Sequence, residues 1–196
     1  MDLSWWYYEK RPQVLALREL HERQVVAQMD MILSARPDFV LLGGSGTITL
    51  QSPPIARELS LPTIRVLTRM ARQAGVPTML HSCGKERDLV RMCAEETDLT
   101  CINPLEVPPM GDCDLAELKR QFVHKLSLMG NLHTTDVMLL GSPAEVERVA
   151  RAAIEAAGAG GGFILSTGDQ CGRDTPDANI FKLVEVARTY GRYDEG

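Results

Sequence analysis

Apolar positions along the chain alternate between two periods. "PQVLALRELHERQVVAQMDMILSA", from Pro12 to Ala35, spaces its apolar residues three and four apart and predicts a helix, with Pro12 suited to its first turn. "PDFVLLGG" is a short apolar run closed by glycines and predicts a buried strand. Helical spacing returns in "LPTIRVLTRMARQAG", where Gly75 suits the C-terminal cap. "VPTMLHSCG" predicts a second strand, "KERDLVRMCAEE" a helix and "LTCINPLE" a third strand. After a proline-rich turn, a helix opens on Asp114, with Glu117 at capping-box spacing. "HKLSLMGN" predicts a fourth strand, followed by a short helix around "TTDVMLL". In "SPAEVERVARAAIEAAG" Ser142 suits the N-cap, Pro143 the first turn, and Glu145 completes a capping box. "GGFILST" is the fifth strand and "TPDANIFKLVEVARTYG" the closing helix.

Strands alternating with helices predict parallel βαβ units in a single α/β domain over residues 1–196. An open doubly wound sheet and part of a (β/α)₈ barrel both fit. In either, the loops after the carboxyl ends of the strands carry the site. Those ends read "GGSGT" (43–47), "HSCGK" (81–85), "NPLE" (103–106), "GNLHTTD" (130–136) and "STGDQCGRDTP" (166–176). All but the first hold residues capable of chemistry.

Composition narrows the function classes. With 196 residues, 44% of them hydrophobic, the chain can bury a core as one domain. Its formal net charge of −5 argues against nucleic acid, which needs a basic face. No stretch approaches a membrane span, and "MDLSWWYYEKRPQ" does not have the form of a secretory signal. Five cysteines, an odd count, point to a reducing, cytoplasmic compartment.

His81 and Cys83 stand two apart, so a strand continuing through them puts both on one face. Imidazole and thiolate suit zinc, whose catalytic sites take three protein ligands and leave a position open. The alternative is a buried cysteine beside a hydrogen-bonded histidine. Cys171, after the fifth strand, is a candidate third ligand, and so is Asp169, two residues earlier. Cys93 has apolar helical neighbours and reads as core; Cys101 and Cys113 also read as structural. Asn131 directly follows a strand and Gly130, and is a candidate for substrate contact. His133 is a candidate ligand or acid, or equally a solvent-facing residue, while Thr134 and Thr135 suit capping of the next helix. Glu106 could orient a substrate amine or support the metal from behind its ligands, or equally be a plain surface glutamate. "GAGGGF" follows a helix and enters a strand, the reverse of a phosphate loop, and is a tight αβ connection. "SWWYY" is either a partner-binding patch or the buried end of an element.

"INPLE", "LAELKRQF", "LSLMGNLHTTDVMLLGSPAEV", "GGGFILSTGD" and "TPDANI" together resemble the C-terminal part of the uroporphyrinogen decarboxylase superfamily, from about Tyr7 to Tyr190. That resemblance implies a (β/α)₈ barrel of which this chain supplies the C-terminal five βα units, since a full barrel takes ~250 residues. The H-x-C of "HSCGK" resembles the superfamily's zinc-dependent methyltransferases, which move a methyl group between a corrinoid protein and coenzyme M. In that branch a cysteine after the final strand completes the metal site. Aligned on "TP..N", it falls nearer Asp169 than Cys171. The resemblance therefore implies Zn²⁺ as cofactor, a small thiol as acceptor and a corrinoid-carrying partner. Uroporphyrinogen decarboxylation of a tetrapyrrole is the alternative activity, and its arginines and aspartate lie in the family's N-terminal region. A non-catalytic binding fragment is a third reading. Five strands alone leave two open edges, which implies self-association or a complementary chain.

Overall fold

One apolar row crosses the whole sheet. Leu42, Leu80, Ile102, Leu128 and Phe163 are successive register partners on five parallel strands, and all five are buried. The strands are β1 (Val40–Gly43), β2 (Thr78–His81), β3 (Cys101–Asn103), β4 (Ser127–Leu132) and β5 (Phe163–Thr167). The computed structural model describes residues 3–193.

The strands are hydrogen-bonded in the order β1-β2-β3-β4-β5. A doubly wound sheet reverses its order at a switch point; this one does not. Sequential parallel strands with right-handed crossovers place the helices on one face, the arrangement of a continuous arc of a (β/α)₈ barrel. The helices are α1 (Leu3–Glu9), α2 (Arg11–Ser34), α3 (Thr47–Gln51), α4 (Pro53–Leu59), α5 (Leu61–Gln73), α6 (Arg87–Glu96), α7 (Leu115–Phe122), α8 (Pro143–Ala157) and α9 (Asp177–Thr189). Ile64 and Ala71 of α5, Leu89 and Cys93 of α6, Leu118 of α7, and Val146 and Ala150 of α8 join the same core as the strand row. Each large apolar side chain so buried stabilises the fold by about 1.5–3 kcal/mol.

Several caps follow the sequence. Asp114 accepts a hydrogen bond from Glu117 N–H and Ser142 Oγ accepts one from Glu145 N–H. Gly75, at φ 72°, closes α5 as Gly75 N–H bonds Arg72 O and Val76 N–H bonds Ala71 O, satisfying two terminal carbonyls. Gly160, Gly161 and Gly162 all have positive φ in the turn entering β5, at the opposite end of the strand from Thr167.

Other features depart from the periodicity. α3 and α4 fill the segment between "GGSG" and Leu61, each too short to show a repeat. Ser52, at φ 69°, turns the chain between them, and Pro53 opens α4. "SWWYY" lies in α1, where Tyr7 is buried and donates a hydrogen bond to Glu58, while Trp5 and Tyr8 are exposed. The element after β4 is a π-helical turn, Thr134–Leu139. Its cap is His133 rather than either threonine, because Nδ1 accepts from both Thr135 N–H (3.2 Å) and Asp136 N–H (3.0 Å).

On the face away from the helices the register aligns Leu41 with Met79, Met79 with Cys101, and Met129 with Ile164. Leu41 is 57% exposed and Ile164 45%. Among the described residues no strand pairs with the outer edge of β1 or of β5.

Candidate metal centre

β2 ends at His81, yet the chain stays extended for two further residues: Ser82 N–H still bonds Asn103 O. Ser82 is fully buried between a half-buried His81 and a half-buried Cys83. The in-and-out alternation of a strand thus outlasts its ladder, and both side chains leave on the same side. Gly84 follows at φ 91°, and its N–H is held by the Glu106 carboxylate.

From the far side of the sheet, the loop after β5 brings Asp169. The Thr167 hydroxyl donates to Asp169 O (2.7 Å), and Asp169 Oδ1 accepts from Gln170 N–H (2.7 Å), which fixes the turn. His81 Nε2 lies 3.7 Å from Asp169 Oδ1. One ligand atom each from His81, Cys83 and Asp169 lies within 4.8 Å of the other two. Zinc donors at 2.0–2.3 Å in a tetrahedron stand about 3.3–3.8 Å apart, so small side-chain rotations close this set on the ion. Imidazole nitrogen, thiolate and carboxylate oxygen are all ordinary zinc donors. The residues fit the metal.

Cys171 is not in this cluster; it is half-buried and packs against the hydrophobic core. The three other cysteines are core. Burial pushes the Cys93 thiol up to about 12, the Cys101 thiol up to about 11, and Cys113 higher still. Their thiols therefore stay protonated at neutral pH, unlike a metal ligand.

The remaining candidates surround the triad. Glu106 is buried, with its carboxylate on the residue next to Cys83. Asn131 lies on β4 and is buried, and its Nδ2 donates to Leu105 O (3.0 Å). His133 lies outside the triad. With Nδ1 accepting, its proton sits on Nε2, which is buried without a hydrogen-bond partner among the described residues and 3.8 Å from Asp136 Oδ2.

Sequence reasoning missed Glu86. Its side chain is fully buried and Oε2 accepts from Leu105 N–H. Burial, with Glu106, Asp112 and Asp169 nearby, pushes its carboxyl well above the ordinary range, although the Leu105 N–H pulls the other way. An acid at a helix start reads as an exposed cap; the signal that it is not one lies in Asp112. Asp112 Oδ1 takes both Glu86 N–H (2.9 Å) and Arg87 N–H (3.1 Å), doing the capping in its place.

Known proteins resemble the chain in sequence and in fold. The chain is 28% identical over 156 residues to methylcobamide:CoM methyltransferase MtbA of Methanosarcina mazei, covering 75% of this chain and 43% of that one. The Methanosarcina acetivorans protein of the same name is 26% identical over 156 residues, with the same coverage. The chain thus spans less than half the length of these curated relatives. A solved methyltransferase from Methanosarcina mazei superposes with a TM-score of 0.78 at 17% identity, over 95% of this chain and 52% of that one, and shares its fold. The model of the family described as uroporphyrinogen decarboxylase (URO-D) matches residues 2–190, and the chain belongs to that family.

Proposed function

We propose that this chain carries the metal-binding βα units of an enzyme that transfers a methyl group, from a corrinoid or other donor, to a thiol. The observation that carries this reading is the convergence of His81, Cys83 and Asp169 from two different strand ends. Similarity to methylcobamide:CoM methyltransferases supports the methyl-transfer class.

In this reading His81, Cys83 and Asp169 hold Zn²⁺ and leave one position for substrate. The bound metal would lower the pKa of an incoming thiol, making it a thiolate at neutral pH. The protein's own part is orientation. Asp169 sets the third donor from a turn pinned by the Thr167 hydroxyl. Glu106 keeps the peptide after Cys83 in place, and Asn131 ties β4 to the Leu105 carbonyl beneath the mouth. In this reading Asn131 and Glu106 are the candidates for contact with the thiol, while His133 caps the π-helical turn.

The partners in this reading are a small thiol, a corrinoid-carrying protein, and a second copy or complementary chain covering the exposed sheet edges. Five free cysteines support a cytoplasmic setting, and no described helix is long and apolar enough to cross a membrane.

Metal content of the purified chain tests the reading. The expected result is about one zinc per chain in the wild type and in Cys171→Ala, lost in Cys83→Ala and Asp169→Ala. A wild-type chain that takes up no zinc when supplied with it would sink the proposal and return His81 and Cys83 to a purely structural role.

A further inference from the structure

Glu86 has no local reason to be buried. Its carboxyl is fully enclosed, Oε1 is without a hydrogen-bond partner among the described residues, and Asp112 already caps α6. A half-satisfied buried carboxyl is costly. What it holds is the Leu105 N–H, and Leu105 is a leucine at φ 61°, a left-handed conformation unfavourable for a side chain of its kind. The Leu105 carbonyl is held in turn by Asn131. With this residue gripped at both its N–H and its carbonyl, the next residue, Glu106, turns its carboxylate onto the Gly84 N–H. The two loops are crossed: Glu86 of the first reaches the second, and Glu106 of the second reaches back to the first.

We infer that Glu86 is a positioning residue for the metal centre, acting through Leu105 and Glu106 on the Gly84 peptide and so on Cys83; the inference rests on the metal-binding reading above. Glu86 touches neither metal nor substrate. Its role is to hold the Cys83 sulfur where His81 and Asp169 can share an ion with it. Supports behind metal ligands typically contribute 10–100-fold to affinity.

Three variants of the full chain test this, with zinc affinity measured by competition against a chromogenic chelator. The thiolate-to-cobalt absorption of the Co(II)-substituted protein and hydrogen exchange at Gly84 N–H in the metal-free chain are read alongside. E86Q keeps an acceptor for Leu105 N–H and should bind zinc within about 3-fold of wild type, with an unchanged cobalt spectrum. E86L and E106A should each weaken zinc by about 10–100-fold, shift the cobalt band and speed exchange at Gly84. Combined, they should cost little more than either alone, because they break one chain of contacts. Should E86L not fold, E86D, a methylene short of Leu105, carries the same expectation. Folded E86L or E86D with wild-type zinc affinity and unchanged Gly84 exchange would overturn the inference. A wild type that binds no zinc, alongside faster Gly84 exchange in E86L, would fell the metal reading and leave the crossed-loop clasp standing.

Discussion

Replacing Gly84 by alanine should damage the fold in two separable ways. Gly84 sits at φ 91°, where an L side chain costs about 1–2 kcal/mol. An added Cβ would also fall inside contact distance of Thr49 Oγ1 and 3.2 Å from Thr49 Cβ. Thr49 cannot yield freely, because its Oγ1 accepts from Lys85 N–H at 2.8 Å. Pushing the hydroxyl aside breaks that bond, for about 1 kcal/mol. The sum is about 2–3 kcal/mol, or about 4–12 °C in Tm for a chain of this size. Urea unfolding followed by circular dichroism gives the free energy. Thr49→Ala alone should cost about 1 kcal/mol for the lost hydrogen bond. The double variant should cost about 1 kcal/mol less than the two singles added together, since the same bond cannot be lost twice. A Gly84→Ala chain within about 0.5 kcal/mol of wild type would refute the strain argument. Strict additivity would refute the route through Thr49.

Further outcomes follow from buried polar groups. Glu86 is held above its unfolded pKa of about 4.3 by burial and by Glu106, Asp112 and Asp169. Its contribution to stability is therefore full below about pH 4.3 and is lost as pH rises towards the folded value. E86Q should thus gain on wild type between pH 5 and pH 8, by up to about 1.4 kcal/mol per pH unit; an equal difference in urea midpoint at the two pH values would contradict this. Asn179 is buried, and its Nδ2 donates to Met138 O (2.9 Å) and Gly141 O (2.8 Å), locking α9 to the π-helical turn. Asn179→Leu should cost about 1–3 kcal/mol for each stranded carbonyl, read by thermal unfolding. An unchanged Tm would show that water reaches both carbonyls.

The βα alternation was legible because each strand is a short apolar run and α5, α6 and α8 each bury one stripe of residues. α3 and α4 were not, since helices of five and seven residues complete too few turns to show a stripe. Choosing the arc of a barrel over a doubly wound sheet required the strand order, which no local pattern encodes. At the site, the pairing of His81 with Cys83 follows from spacing alone. Asp169 and Cys171 could not be ranked by residue type, because both are zinc donors; the turn held by Thr167 decides which one faces His81. His133 acts as a cap because its ring reaches two amides at once, a contact set by the π-helical turn. Glu86 stayed hidden because it lies at a helix start, where an acid normally faces water. Only Asp112, from a different loop, frees it to turn inward.

The candidate metal centre spans three inter-strand steps, from the end of β2 to the loop after β5. In a flat sheet those strands would lie about 14 Å apart, whereas His81 Nε2 and Asp169 Oδ1 lie 3.7 Å apart. Sheet curvature and loop reach make up the difference, so the width of the donor set acts as a gauge of how tightly the arc is curled. Any polypeptide that adds a strand beside β1 or β5 and bends the sheet further would tighten the grip on an ion, and one that flattens it would loosen it. On the metal-binding reading, metal affinity and edge pairing are mechanically linked, and a partner docking far from His81 would register at the site without touching it.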